Sequence, residues 1–355
     1  MFTQSLYHTY QRYRSLQTSR ITALPIVILM PHSACNCRCV MCDIWKDNKN
    51  LKQLVEADII GLIGALKKYG TQQVVMSGGE ALLNPNFFKL CEILQLNDIR
   101  ITLLSTGLTI GREAQKLVNR VNDIIVSLDG PSGLHDAIRN IPGAFQKMKE
   151  GIETVRSLDP TFEITGRSVI HRLNYQHWGE IVEAAKELNL DRISFLPADV
   201  SSHAFNRQVL WNERRQHEIL PDESELPAIL EVINQLIEDY KGEFESGFIA
   251  ESPEKVRRIY SYYAAFYGLN SFPFKKCNAP WVSTVIEADG TVRPCFFHEA
   301  IGNIKDHSLD EILNSKDAIE FRKRLDTDTN PTCMKCVCYL NLPARTRIKG
   351  LGLKD

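Results

Sequence analysis

The stretch Ile26 to Cys42, IVILMPHSACNCRCVMC, decides the fold. Its first five residues form an unbroken apolar run rich in β-branched side chains, the pattern of a strand buried on both faces. The run ends at Pro31. Three cysteines, Cys35, Cys39 and Cys42, then follow at the spacing C-x3-C-x2-C. A cysteine-rich loop directly behind a buried strand suits a parallel β/α protein, in which chemistry collects at the C-terminal ends of strands.

The units downstream repeat this strand–helix rhythm. Strands are expected at Gln73–Met76, Arg100–Leu104, Ile124–Leu128, Phe162–Ile170 and Arg192–Leu196. Helices are expected at Glu56–Tyr69, closed by Gly70, and at Asn86–Leu96, Gly111–Asn119, Ala144–Leu158 and His177–Leu188. Six strands alternating with helices predict an α/β fold with a parallel sheet. Six units are too few for an eight-stranded barrel, so the expected architecture is a partial (β/α)6 TIM-like barrel over residues 24–200. An N-terminal helical extension (1–23) precedes it, with Tyr7, Tyr10 and Tyr13 on a helix that packs on the domain surface. A helical insertion or linker (201–271) follows, with helices at Pro227–Tyr240 and Pro253–Tyr267. A C-terminal cysteine-rich domain (272–340) comes next. It contains a hairpin turning at Asp289-Gly290 and a short helix at Leu309–Asn314. A tail (341–355) ends the chain.

Composition excludes several partners. Lys plus Arg number 42 and Asp plus Glu 43, a balance that gives no footprint for nucleic acid. No run of 18 apolar residues is present, so no membrane span is expected, and Leu24–Met30 lacks the cleavage site of a signal peptide. The expected compartment is the cytoplasm. Ten cysteines there point to metal or redox chemistry rather than disulfides. Four lie between residues 35 and 42 and five between 277 and 338, while Cys91 stands alone in an apolar helical pattern and reads as core.

Cys35, Cys39 and Cys42 can wrap one face of a [4Fe–4S] cluster. Such clusters usually take four cysteines, so three leave one iron open to a non-protein ligand. Structural zinc, the alternative, takes four protein ligands, typically as paired C-x2-C units. Cys37 is then a bystander or a target for oxidation.

The cysteine spacing behind the first strand of a six-unit β/α chain resembles the radical S-adenosylmethionine (SAM) superfamily, and later segments agree in order. Ser77-Gly78-Gly79-Glu80, behind the second strand, is similar to the family's GGE motif. The resemblance implies that this segment meets the amino group of SAM; glycines permit close approach and a carboxylate suits an ammonium. Ser105-Thr106-Gly107 and Ser127-Leu128-Asp129-Gly130 end the third and fourth strands and resemble segments that contact the ribose and methionine ends of the cofactor, with ordinary loop capping as the alternative. Arg167 is a candidate partner of the methionine carboxylate or a structural ion pair. Leu196 is placed near the adenine. Met41 stands where the family often has an aromatic residue before its third cysteine. His135-Asp-Ala-Ile-Arg139 and Gly143-Ala-Phe145 recur in the peptide- and sugar-modifying branch, where Arg139 reads as structural.

In the second group, 17 residues separate Cys277 from Cys295, and Cys333-Met-Lys-Cys336 follows. This resembles the twitch domain, a shortened SPASM domain holding one auxiliary [4Fe–4S] cluster; a two-pair zinc ribbon is the alternative. Cys338 is an alternative ligand, a bystander or a hydrogen-atom donor.

The resemblance implies two [4Fe–4S] clusters, SAM as cofactor, an external one-electron donor of flavodoxin or ferredoxin type, and a 5′-deoxyadenosyl radical that takes a hydrogen atom from substrate. With one auxiliary cluster it favours oxidation or epimerisation of a small sugar or cyclitol, as in aminocyclitol dehydrogenases. The alternatives are maturation of a ribosomally made peptide, with a separate protein supplying leader recognition, and, outside enzymes, a zinc-stabilised or electron-carrying protein.

Overall fold

The computed structural model describes residues 2–346 other than 208. The last residues of the expected tail therefore lie outside the described residues. Six strands run parallel in the order of the chain: β1 (Ile26–Leu29), β2 (Gln73–Met76), β3 (Arg100–Ser105), β4 (Asp123–Ser127), β5 (Glu163–Ile170) and β6 (Arg192–Pro197). Each pairs with its sequence neighbour, as β/α crossovers require. This is the partial (β/α)6 barrel expected from the alternation of apolar strands and helices.

The sheet does not stop at β1. β7 (Ser283–Ile286) pairs parallel to the free side of β1, with Ile26 opposite Ser283 and Leu29 opposite Ile286. β8 (Thr291–Arg293) and β9 (Gly302–Asn303) extend it antiparallel. The hairpin turns at Gly290, whose φ of +90° suits glycine and whose missing Cβ leaves room for the Asn303 amide. The cysteine-rich region is thus joined to the barrel through one continuous nine-stranded sheet.

The other edge is also covered. Ile249 bridges β6 at Ile193 in parallel, and the Glu251 carboxylate accepts from the Phe195 amide at 2.9 Å where that short ladder ends. Residues 201–271, expected as an insertion or linker, therefore help close the barrel, and the helices Leu226–Asp239 and Pro253–Phe266 bury Ile229, Ile233, Val256 and Tyr263. The N-terminal helix, Phe2–Thr18, leaves Tyr7, Tyr10 and Tyr13 exposed. Its Leu16 joins Trp281, Leu340 and Leu342 over the inward face of Ile26 and Val75.

Helices Ile110–Arg120 and Ala144–Leu158 cross at a glycine contact, where a Cβ on Gly151 would stand 2.5 Å from Ile110 Cγ1 and 3.0 Å from the Gly111 nitrogen. Overpacking there costs about 1–3 kcal/mol, more than the ~1 kcal/mol gained by removing a helical glycine. Gly151→Ala is therefore expected to lower the urea midpoint of unfolding; an unchanged or raised midpoint would show that the helices part freely.

Candidate active site

The loop behind β1 is held from several directions. Asn48 clamps Cys35 by accepting from its amide (3.0 Å) and donating to its carbonyl (2.8 Å). The Trp45 indole donates to the Cys42 carbonyl at 2.8 Å. The amides of Arg38 and Val40 donate to the carbonyls of Arg139 and Ile138, each at 3.0 Å. Arg207 donates to the Met41 carbonyl at 3.4 Å, and Arg215 to that of Val40. The last two residues come from the 201–271 segment, to which the sequence assigns no motif.

All four thiols of this loop are free. The Cys39 thiol is held down to about 6, first by a hydrogen bond from Cys37 and then by the charge of Arg139, whose guanidinium Nη1 lies 3.5 Å from Cys39 Sγ. Burial pushes the Cys42 thiol up to about 12. Hydrogen bonds to Cys35 and Cys39, and then burial, push the Cys37 thiol up.

The Ser77–Glu80 loop presses directly on this one. A Cβ on Gly79 would stand 2.3 Å from the Ala34 carbonyl oxygen, and the Glu80 amide donates to that same oxygen at 2.9 Å. Gly78 has φ +113°, which favours glycine, and a Cβ there would stand 3.0 Å from the His32 carbonyl oxygen. The glycines are thus required by the approach of two backbones.

Glu80 is fully buried and turned away from solvent. Its carboxylate accepts from Ser105 Oγ (3.1 Å), from the Thr106 amide and hydroxyl (both 2.7 Å) and from the Leu82 amide (3.2 Å). Burial raises this carboxyl, and the Thr106, Leu82 and Ser105 donors oppose the shift. The side chains of Glu80, Ser105 and Thr106 therefore bind one another and brace the ends of β2 and β3.

Asp129 is likewise enclosed. Its Oδ2 is 2.5 Å from Arg139 Nη2, and its Oδ1 accepts from the Val169 amide at 3.0 Å. Both carboxylates that the resemblance assigns to cofactor contact are thus engaged within the protein.

Ser127, Arg167 and Ser194 stand abreast on β4, β5 and β6. Arg167 Nε donates to Ser194 Oγ at 3.2 Å. Arg167 shares the face of β5 that carries Thr165 and Val169, opposite the buried Ile164 and Ile170. Leu196 and Met41 are partly and largely buried at the same end of the barrel. Nearby Glu251 is pushed up to about 7 by burial, against a hydrogen bond from Phe195 and the charge of Arg167. Its native carboxyl holds a proton that the unfolded chain releases near 4.5, so stability falls as pH rises through this window. Glu251→Gln is expected to flatten the decline in Tm between about pH 5 and about pH 8; an equally steep decline in the variant would assign it elsewhere.

In the second group, Cys277, Cys295, Cys333 and Cys336 are free and half-buried. Burial pushes Cys295 up to about 11 and Cys333 to about 12, and neighbouring thiols push the same way. Two further residues serve this group that sequence reading had missed. His298 Nε2 is 3.3 Å from Cys333 Sγ, and Lys275 Nζ donates to the carbonyls of Met334 (2.9 Å) and Cys336. The C-x2-H spacing from Cys295 to His298 was the available signal. Cys338 is exposed, and Arg167, Asp199 and Cys277 are its electrostatic neighbours.

Among the described residues, no three His, Cys, Asp or Glu side chains converge tightly enough to grip a single metal ion. A tetrahedral zinc site, with Zn–S bonds of ~2.3 Å, would draw its sulfurs within about 4 Å of one another. The donors are thiols in both sets, three in the loop behind β1 and four in the C-terminal region, and cysteine thiolates are what iron–sulfur clusters take.

Comparison with known proteins decides the matter. The radical SAM superfamily model matches residues 29–195, and an iron–sulfur cluster-binding domain, SPASM, matches residues 277–337. The chain carries a radical SAM domain and a SPASM domain. The first domain uses SAM and a [4Fe–4S] cluster, and the second adds iron–sulfur binding.

An AdoMet-dependent heme synthase of Methanosarcina barkeri is 28% identical over 44% of this chain, and the match spans 45% of that relative's length. An Fe-coproporphyrin III synthase of the same organism is 24% identical over 90% of this chain and 84% of its own. The PqqA peptide cyclase of Bradyrhizobium diazoefficiens is 21% identical over 82% of this chain and 72% of its own. Among solved structures, Streptococcus suis SuiB bound to precursor peptide SuiA aligns over 92% of this radical SAM–SPASM chain and 73% of its own, with TM-score 0.61 and 14% identity. anSMEcpe with bound AdoMet and a peptide aligns over 89% of each chain, with TM-score 0.60 and 17% identity. These structures establish the shared fold.

Proposed function

We propose that this radical SAM–SPASM protein is a peptide-modifying enzyme that cleaves SAM reductively at the barrel mouth and removes a hydrogen atom from a peptide. The observation that carries the chemistry is the contact between the two loops, which brings the loop of Cys35, Cys39 and Cys42 against the backbone of Gly78 and Gly79. When bound, the cluster and SAM together supply the one-electron cleavage that yields a 5′-deoxyadenosyl radical.

The chain's own residues do the rest. Cys35, Cys39 and Cys42 would hold the first cluster. The backbone of Gly78 and Gly79 receives the SAM ammonium, with Glu80, Ser105 and Thr106 as the brace that fixes it. Arg167 and Ser127 take the carboxylate and ribose, and Met41 and Leu196 flank the adenine. Cys277, Cys295, Cys333 and Cys336 hold one auxiliary cluster. An external flavodoxin- or ferredoxin-type donor supplies the electron, and the cytoplasm is the compartment. No helix among the described residues is long and apolar enough to cross a membrane.

Peptide chemistry replaces the sugar or cyclitol preference drawn from the single auxiliary cysteine set. The relatives described above are named for peptide and porphyrin chemistry, and the sugar reading gains no support from them. The test is anaerobic turnover of the iron-loaded protein with SAM, a strong reductant and either a random-sequence peptide pool or a panel of cyclitols. Peptides that accelerate 5′-deoxyadenosine formation and lose hydrogen mass support the reading. Acceleration by cyclitols alone overturns it.

A further inference from the structure

We infer that Arg139 tunes the reduction potential of the first cluster through Cys39, with Asp129 as its positioning partner. The inference rests on the radical SAM reading above and extends it to a residue that would touch neither SAM nor substrate.

Arg139 ends the helix Ser132–Arg139, whose terminus packs against the cysteine loop. The carbonyls of Ile138 and Arg139 accept from the amides of Val40 and Arg38, the two residues flanking Cys39. The backbone of the helix end thus brackets Cys39, and the guanidinium reaches its sulfur at 3.5 Å. The other guanidinium arm is fixed at 2.5 Å from Asp129, which is fully buried and anchored by the Val169 amide. Asn174 Nδ2 donates to the Asp129 carbonyl at 3.0 Å. His135 and His171 lie in the same pocket and are pushed down to about 4 by burial, so Arg139 is its cation near neutral pH.

A buried ion pair is a poor means of stabilising a fold, because desolvation offsets its Coulombic attraction and an apolar pair of similar volume serves as well. Here one arm of the pair is aimed at a cluster-ligand sulfur. Reduction adds one negative charge to the cluster and its thiolates. A charge-assisted hydrogen bond to one thiolate stabilises that state, and hydrogen bonding to the sulfurs is among the protein's means of setting cluster potential.

The experiment is an EPR-monitored redox titration of the full-length, iron-loaded protein, following the signal that changes when SAM is added. Arg139→Gln is expected to move its midpoint to more negative potential, and Arg139→Lys to lie between Gln and wild type. Asp129→Asn removes the opposing charge and should move the midpoint the other way. SAM cleavage by Arg139→Gln should be slow with a weak reductant and recover with a stronger one, which a misfolded site would not do. Midpoints of Arg139→Gln and Asp129→Asn that coincide with wild type overturn the inference. If Arg139→Gln fails to hold iron, the Lys variant decides: iron lost equally there assigns Arg139 to packing alone and overturns the inference too. A wild-type protein that takes up no SAM-responsive cluster would instead refute the parent reading.

Discussion

Alanine at Cys35, Cys39 and Cys42 together is expected to abolish formation of 5′-deoxyadenosine and to remove about half of the bound iron, leaving the set at Cys277, Cys295, Cys333 and Cys336 loaded. The loop should survive the change, because its backbone is held by Asn48, Trp45 and the end of the Ser132–Arg139 helix rather than by the sulfurs. The complementary variant, Cys277→Ala with Cys295→Ala, should lose the other half of the iron and keep the SAM-responsive signal. Iron and sulfide analysis with chromatographic quantification of 5′-deoxyadenosine reads both. Zinc in place of iron, or unchanged cleavage by the triple variant, would sink the assignment.

The second large effect is expected from a single methyl group. Gly79→Ala places a carbon 2.3 Å from the Ala34 carbonyl oxygen, 2.7 Å from its carbonyl carbon and 3.0 Å from Cys35 Cβ. Two of these neighbours are backbone atoms and cannot rotate away. Relief requires the Ser77–Glu80 loop to lift from the cysteine loop, which breaks the hydrogen bond from the Glu80 amide and unseats the Glu80 brace on Ser105 and Thr106. The expected outcome is a loss of about 1–3 kcal/mol or more in stability, with first-cluster iron and SAM binding lost together. Gly61→Ala is the control, since a Cβ there meets nothing within 4 Å on an exposed helical face. If both variants bind SAM equally, the contact between the loops is not what forms the site.

Much of this was legible in the sequence because parallel strands buried on both faces read as continuous apolar runs. β2 is found at its expected ends, and β1 falls short by one residue, Met30. The helix Ser132–Arg139 was not assigned as an element. Eight residues carry too few turns for periodicity to declare them, although the His135–Arg139 segment stood out by its resemblance and Arg139 read as structural. Residue type singled out Glu80 and Asp129 but could not say which way they point. A carboxylate suits an ammonium or a ribose as well as Thr106 or Arg139, and only the fold fixes the choice. The hairpin at Asp289-Gly290 was readable locally, whereas the pairing of β7 with β1 joins segments about 250 residues apart and leaves no trace in local pattern.

That pairing bears on how the molecule can be dissected. A fragment ending before Ser283 would leave Ile26–Leu29 as a bare flank of the sheet, with a row of unsatisfied amides and carbonyls between apolar side chains. Such a flank is a template for a second copy of itself. Removing the auxiliary region should therefore yield aggregates rather than a smaller working barrel, and the two halves are best regarded as one cooperative folding unit.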